Sequence, residues 1–337
     1  MLCLIGERET RKIPRCDDSR WERRDVRQWS TPSVAPPVHV LPRPNESFES
    51  LVFRVGECNA LGSFSRVLRV LGAHCEKPSR YCYQHLSPLL GVDPYVLAAM
   101  VPAAVDGDLQ LLGHQLIRHR HLVRHTTRLC PLCVSERGYG SLEWTLAPFA
   151  VCADHGVYLV DRCVCRPTKS LSVFRFNYFT CRCGADLRNA AAIPASPAAF
   201  GLAKELRRRF RQEPSEQPDC MFPILKAWPH GAHFGDFLDL LICLGNLARG
   251  SKALGLHLSQ AVHRLDRTTI QLENAAHVLS KWRGGFAAAV RIANDSSSAS
   301  QSTSDEKIRL LRGRAKRYIS PLLYRWMMVQ RTRAALL

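Results

Sequence analysis

Seven cysteines and one histidine fall in pairs between positions 130 and 183, and that grouping constrains the chain more than any other feature. Cys130-Pro-Leu-Cys133 and Cys152-Ala-Asp-His155 are two C-x-x-ligand pairs with residues 134–151 between them. A tight turn presents both donors of a pair on one side, so two such knuckles can close around one ion in the tetrahedral geometry that zinc takes. Cys163-Val-Cys165 and Cys181-Arg-Cys183 follow, with residues 166–180 between them and Gly184 directly after the last thiol. They predict a second, all-sulfur site. The β-prone residues Leu171, Val173, Phe174, Phe176, Tyr178 and Phe179 predict a small hairpin between its knuckles. C-x-C is tighter than C-x-x-C, which makes chelation at the second site the more strained. The expected cofactor is Zn2+, two ions. A closed sphere of four protein donors, whether three thiolates with an imidazole or thiolates alone, leaves no position for an activated water. Each ion is therefore expected to contribute folding energy and not hydrolysis.

That reading requires a compartment in which thiols stay reduced. Met1 to Ile5 is followed at once by Glu7, Arg8, Glu9, Arg11 and Lys12, which is not a signal-peptide layout, and the longest apolar run, Phe234 to Leu247, contains Asp236 and Asp239. No membrane span and a cytoplasmic location are expected. Scattered cysteines such as Cys58, Cys75 and Cys243 read as small core hydrophobes. The 47 Lys and Arg against 29 Asp and Glu give a formal charge of +18, which favours a polyanionic partner, with nucleic acid first. A hydrophobic content of 46% is enough for a real core.

The chain divides by pattern. Residues 1–38 read as a disordered basic arm rich in Pro and Ser towards its end. Residues 39–129 read as an N-terminal helical unit. Phe48, Leu51, Val52 and Val55 share a helix face with Asn45 or Ser47 as N-cap, and a second helix near Phe64 to Leu71 is closed by Gly72. Leu86 to Ala104 reads as helix, Gly91 turn, then a helix from Asp93 and Pro94 with Val96, Leu97 and Met100 inward, a helix-turn-helix-like hairpin that can either enter a DNA groove or simply pack. Leu111 to Arg128 reads as a helix-like basic stretch leading to the first cysteine pair. Residues 130–190 form the zinc-binding module and residues 191–294 a helical C-terminal region. Within that region Ala191 to Phe200 is a small-residue linker, and helices are expected at Leu202 to Arg211, Phe234 to Leu247, Leu256 to Leu265 and Ile270 to Val290. Residues 295–337 are a Ser-rich linker and a basic helical tail. The fold class is mainly α with small zinc-bound β-hairpins, a double zinc-finger or ribbon module at its centre.

No catalytic constellation emerges. Cys152 and His155 are better used as ligands of one ion than as nucleophile and base, and His230 and His233, with Asp236 nearby, are a histidine pair without a third pre-arranged donor and read as surface or capping groups. No phosphate-cradling P-loop and no paired carboxylates of nuclease type are present.

The order of motifs resembles the TniQ/TnsD family of bacterial transposition proteins. Pro42-Arg43-Pro44 followed by Glu46, Ser47, Ser50 and Arg54 is similar to that family's P-x-P-x-E-S-x-x-S-x-x-x-R opening. Cys130-Pro131-x-Cys133, Trp144, Cys152-x-x-His155-Gly156, Leu159-Val160-Asp161-Arg162-Cys163 and Cys181-x-Cys183-Gly184-x-Asp186-Leu187 continue the likeness, which spans residues 41–188. Cys163-Val-Cys165 departs from the family's C-P-x-C. The C-terminal third matches loosely, through Trp228-Pro229 and Leu279-x-x-Trp282. The resemblance implies target-site selection. Such a protein binds DNA, or an RNA-guided CRISPR effector complex at DNA, recruits an AAA+ ATPase transposition regulator and breaks no bond itself. It also implies a bacterial, nucleoid-associated protein, and leaves a homodimer open.

The expectation is thus a zinc-stabilised DNA-binding adaptor, with Arg118, Arg120, Arg124, Arg207, Arg208, Arg209, Arg211, Arg312, Arg314, Lys316 and Arg317 as candidate phosphate contacts. A zinc-containing transcription regulator, acting without an ATPase partner, is the chief rival. A zinc-dependent nuclease or deaminase is the enzymatic one, and it requires an open metal position.

Overall fold

The structure, a computed structural model, describes residues 35–72, 83–123, 126–165, 167, 169–172, 178–181, 183–214, 221–222, 225, 232–247 and 264–281. Several expectations lie outside these residues: the arm up to residue 34, Cys75, the centre of the hairpin at 173–177, the helix at Leu256 to Leu265 up to residue 263, the end of the Ile270 to Val290 helix past residue 281, and the linker and tail of 295–337.

Ser47 caps α1 (Phe48–Cys58), its side chain accepting from the Ser50 amide, and Ser63 does the same for α2 (Phe64–Val70) through the Arg66 amide. Phe48, Leu51, Val52 and Val55 are buried as their spacing predicts, and α1 packs on α2. Gly91 turns α3 (Tyr83–Leu90) into α4 (Pro94–Met100), which is capped by Asp93. Leu97 and Met100 face inward, but Val96 is 46% exposed. On so short a helix it sits on the solvent side of the Leu97–Met100 stripe.

The expected helix-like stretch from Leu111 to Arg128 is instead the end of a three-stranded antiparallel sheet, β1 (Ala103–Asp106), β2 (Leu109–Leu112) and β3 (Gln115–Arg118), followed by a 3-10 turn at His119–His121. Period-2 burial wins over the helical reading. Gln110 and Leu112 are buried on β2 and Ile117 on β3, while residues between them are more exposed. A two-residue turn at Gly113-His114 reverses the chain where a helix would need continuity.

The cysteine segment contributes one short helix, α5 (Pro131–Arg137), 3-10 turns at Leu142–Thr145 and Leu187–Asn189, and isolated bridges such as Leu129 to Val160 and Val151 to Tyr158. Ser196 then caps α6 (Pro197–Arg211) with Pro197 at the first position, so the last residues of the expected small-residue linker are helical. Next come α7 (Phe234–Leu247) and α8 (Leu265–Ser280), the latter beginning before the expected Ile270. The two pack so closely that a Cβ on Gly245 would lie 2.3 Å from the Gln271 carbonyl oxygen. The described chain is therefore helix-rich, with a small three-stranded sheet. No described helix is long and apolar enough to cross a membrane. Among the scattered cysteines, Cys58 is exposed rather than core, whereas Cys243 packs half-buried against the core.

Two polar locks hold the parts in register. In the first, Glu46 is buried and its carboxylate accepts from the Arg43 amide at 2.9 Å, the Ser50 hydroxyl at 2.8 Å and the Arg54 guanidinium at 2.6 Å. Ser50 Oγ in turn accepts from the Gly140 amide at 3.0 Å, and the Ser47 amide donates to the Gly140 carbonyl at 2.8 Å. The opening motif thus staples α1 to the loop after the first knuckle. In the second, Asp239 of α7 accepts from Arg118, from Arg120 at 2.9 Å and from His121 Nε2 at 2.7 Å, while Asp236 accepts from Arg118 at 2.8 Å. The Arg118 amide donates to His121 Nδ1 at 3.1 Å, which leaves Nε2 as the ring's donor. Burial holds the His121 pKa down against the opposing Asp239 hydrogen bond, so the imidazole is neutral.

Candidate metal centres

The first knuckle is the start of a helix. Cys130 occupies the N-cap of α5, Pro131 its first turn and Cys133 the position one turn on, so both thiols face the same side. The second knuckle is the turn at residues 153–155, closed by the Gly156 amide donating to the Cys152 carbonyl at 2.9 Å. Together they bring His155 Nδ1 to 3.6 Å from Cys130 Sγ, 3.2 Å from Cys133 Sγ and 3.6 Å from Cys152 Sγ, with Cys133 and Cys152 Sγ 3.4 Å apart. A tetrahedral zinc with ordinary bond lengths separates two sulfurs by about 3.8 Å and a sulfur and a nitrogen by about 3.6 Å. The four donors therefore fit the ion with shifts of a few tenths of an ångström.

The electrostatics point the same way. Hydrogen bonds from the Cys133 and Cys152 thiols, helped by the Cys133 and Leu132 amides and opposed by burial, hold the Cys130 pKa down to about 3. The same crowding pushes Cys133 and Cys152 up. A set of thiols in which one ionises only at the expense of its neighbours is a set that a dication completes.

Around the donors stands a ring of charge. His155 Nε2 lies 2.9 Å from Glu136 Oε1, so Nε2–H donates to the carboxylate and Nδ1 is left to face the site. Asp154, inside the second knuckle, accepts from Arg137 of α5 at 2.7 Å and from Arg207 of α6. Burial opposes ionisation of Asp154, but the two guanidiniums outweigh it and hold its pKa below the ordinary carboxylate value. Glu136 falls three positions after Cys133 on the same helix, a spacing that sequence reading could have used but did not. Nothing local marked the pairing of Asp154 with Arg207, which depends on how α6 docks.

The second cluster assembles across its knuckles. Cys163 Sγ is 3.6 Å from Cys183 Sγ and Cys165 Sγ is 3.6 Å from Cys181 Sγ, and all four sulfurs lie within 4.8 Å of one another. The C-x-C spacing therefore does not keep the thiols apart. Cys165 and Cys183 are exposed, Cys181 half-buried and only Cys163 buried. Hydrogen bonding from the Ala185 amide, with help from neighbouring thiols, brings the Cys183 pKa down to about 7. Both clusters can hold a metal ion, and their donor sets suit zinc.

The candidate phosphate contacts are placed differently from what a basic run suggests. Arg118 and Arg120 serve Asp236 and Asp239; Arg207 pairs with Asp154, Arg208 and Arg209 with Glu205, and Arg211 with Glu143. Arg124, Arg312, Arg314, Lys316 and Arg317 lie outside the described residues. His233 and Asp236 form a reciprocal cap at the start of α7, the His233 amide donating to Asp236 Oδ2 at 3.1 Å and the Asp236 amide to the His233 carbonyl at 2.9 Å. His230 lies outside the described residues.

No curated protein matches the chain. Residues 37–159 match the family model described as TniQ, a segment that begins just before the Glu46 staple, contains the whole first cluster and stops short of the second; the match supports TniQ family membership.

Proposed function

We propose that the chain is a zinc-stabilised, DNA-binding adaptor for transposition target-site selection. It links target DNA, directly or through an RNA-guided CRISPR effector complex, to an AAA+ ATPase transposition regulator. The TniQ match over residues 37–159 carries this reading, because a TniQ domain associates a chain with target selection in transposition. The chemistry of the clusters supports it. Each cluster supplies four protein donors, a complete sphere for zinc, which suits a scaffold rather than a hydrolytic centre. In this reading the protein acts in the bacterial cytoplasm at the nucleoid, alone or as a homodimer.

The ion pairs refine where DNA is to be sought. Phosphate contact by Arg118, Arg120, Arg207, Arg208, Arg209 or Arg211 requires exchange of a carboxylate partner for a phosphate. Arg66 and Arg69, exposed one turn apart on α2, pair with no carboxylate among the described residues and join the candidates. The α3–α4 hairpin remains the candidate groove element. Its α4 carries no Lys or Arg and exposes Tyr95 (64%) and Val96 (46%), so base contact there would be apolar or through the tyrosine hydroxyl.

The test is the binding of duplex DNA by the full chain across a salt series. If it neutralises phosphates, log K falls linearly with log salt by about 0.9 per phosphate contacted, and a flat line counts against DNA binding. Co-purification with an AAA+ ATPase transposition regulator tests the other half of the link; its failure would favour a free-standing DNA regulator.

A further inference from the structure

At two turns where glycine is the unstrained choice, the chain carries a long polar residue. The β2–β3 turn, Gly113-His114, has φ of 56° and 62°, the paired left-handed pattern of a type I′ hairpin, which favours glycine at both positions. Gly113 has a packing reason, since a Cβ there would lie 2.6 Å from Phe210 Cζ. His114 has none of that kind, and its ring finds no hydrogen-bond partner among the described residues. Gln212 ends α6 at φ 58°, where a helix ordinarily turns on Gly or Asn, and its side-chain amide also finds no partner among the described residues. Backbone strain carried at two separate turns asks for a use of the side chains.

Both residues line one cleft of about 370 Å³, within the range of small-molecule sites. Gln115, Arg209 and His233 line it too, with Phe234 and Phe237 as its apolar part, and no carboxylate does among the described residues. Gln115 is committed to the fold, its amide nitrogen donating to the Arg209 and Phe210 carbonyls at 3.1 and 3.0 Å. The Arg209 guanidinium lies over the Phe237 ring at 4.6 Å and its Nε bonds Glu205 at 2.6 Å, which fixes a flat cationic plane beside the cleft. Two imidazoles, one guanidinium plane and one free amide, without an acid among them, suit an anion joined to a flat heterocycle.

We propose that this cleft binds a nucleotide unit. The ring N–H groups of His114 and His233 take the phosphate, the base stacks on the Arg209 guanidinium, and the Gln212 amide hydrogen-bonds the base edge. The proposal stands on the cleft alone and not on the transposition reading.

Titration calorimetry of the full chain with adenosine 5′-monophosphate, inorganic phosphate and a single-stranded DNA of about ten nucleotides tests it, alongside His114→Gly and Gln212→Gly. The nucleotide or the oligonucleotide binds with Kd below about 1 mM. Each glycine variant weakens binding at least tenfold while its Tm stays equal or rises, because glycine relieves the turn. Binding of adenosine monophosphate assigns a free nucleotide; binding of the oligonucleotide alone assigns a nucleotide within a strand. The proposal is overturned if neither binds, if inorganic phosphate binds as tightly as the nucleotide, if the variants bind like the unaltered chain, or if their Tm falls, which would make the side chains props of the turns.

Discussion

The two cysteine clusters have nearly the same chemistry and opposite settings. In the first, Cys130, Cys133 and Cys152 are fully buried, and the knuckles are tied outward through Glu136 on α5 and through Asp154 to α6. In the second, two of four thiols are exposed, and Val164 between the first pair is 90% exposed. The first cluster lies within the TniQ match and the second outside it. The difference teaches that an ion's structural weight comes from what its ligands are anchored to. An ion at the first site would join α5, the 153–155 turn and α6 into one unit; an ion at the second would close a surface loop.

The largest effect should separate the sites outright. Structural zinc contributes on the order of 10 kcal/mol in small metal-folded peptides, comparable to the whole stability of a typical domain. Cys133→Ser, which opens the buried sphere, should abolish the cooperative thermal transition of this region, read by limited proteolysis and by emission of Trp144 in a chain whose other five tryptophans are replaced by phenylalanine. Cys165→Ser should lower bound zinc from two ions to one and shift Tm by only a few degrees. Equal losses in the two variants would erase the distinction.

A milder perturbation ranks the sites by access. With a chromophoric chelator in excess, zinc should leave in two phases, the first from the exposed second cluster while circular dichroism is unchanged, the second together with unfolding. A single phase, or loss of structure in the fast phase, would show that both ions support the same unit.

How much of this could be read from the chain follows the same contrast. Candidate ligand sets are local, two donors per tight turn, so the grouping of these eight positions into two clusters that could hold a metal was legible from spacing. The caps of α1 and α4 were legible for the same reason, since Ser47 and Asp93 act within three residues of themselves. What stayed hidden depends on partners distant in sequence. The Arg207 to Arg211 run reads as a free cationic face until Asp154, Glu205 and Glu143 are placed beside it, and Asp154 and Glu143 come from another part of the fold. The stretch from Leu111 to Arg128 misled for another reason: the apolar pairs at 111–112 and 116–117 include the helical i, i+4 spacing of Leu112 and Leu116 and do not alternate as a half-buried strand would, and the deciding signal was the Gly113 turn. The Glu46 motif was visible as a signature, but its role in stapling α1 to the Gly140 loop needed the fold.

The finest discrimination between the clusters rests on Glu136. Its carboxylate holds His155 Nε2–H at 2.9 Å, which keeps the ring in the tautomer that offers Nδ1 to the site and raises the basicity of that nitrogen. The Glu136 side chain is 57% exposed, so its loss should leave folding intact, since exposed pairs of this kind contribute no more than about 1 kcal/mol. Glu136→Gln can still accept or donate near the ring but no longer carries the charge that favours the Nε2–H tautomer. Zinc affinity at the first site should fall about tenfold, at the lower end of what outer-shell substitutions cost, with Tm in saturating zinc unchanged and the second site unaffected. Competition against a chelator of known affinity reads both sites at once. A drop confined to the second site, or none at all, would mean that burial of the three thiols alone sets the strength of the first, and that its charged surroundings serve the docking of α6 rather than the metal.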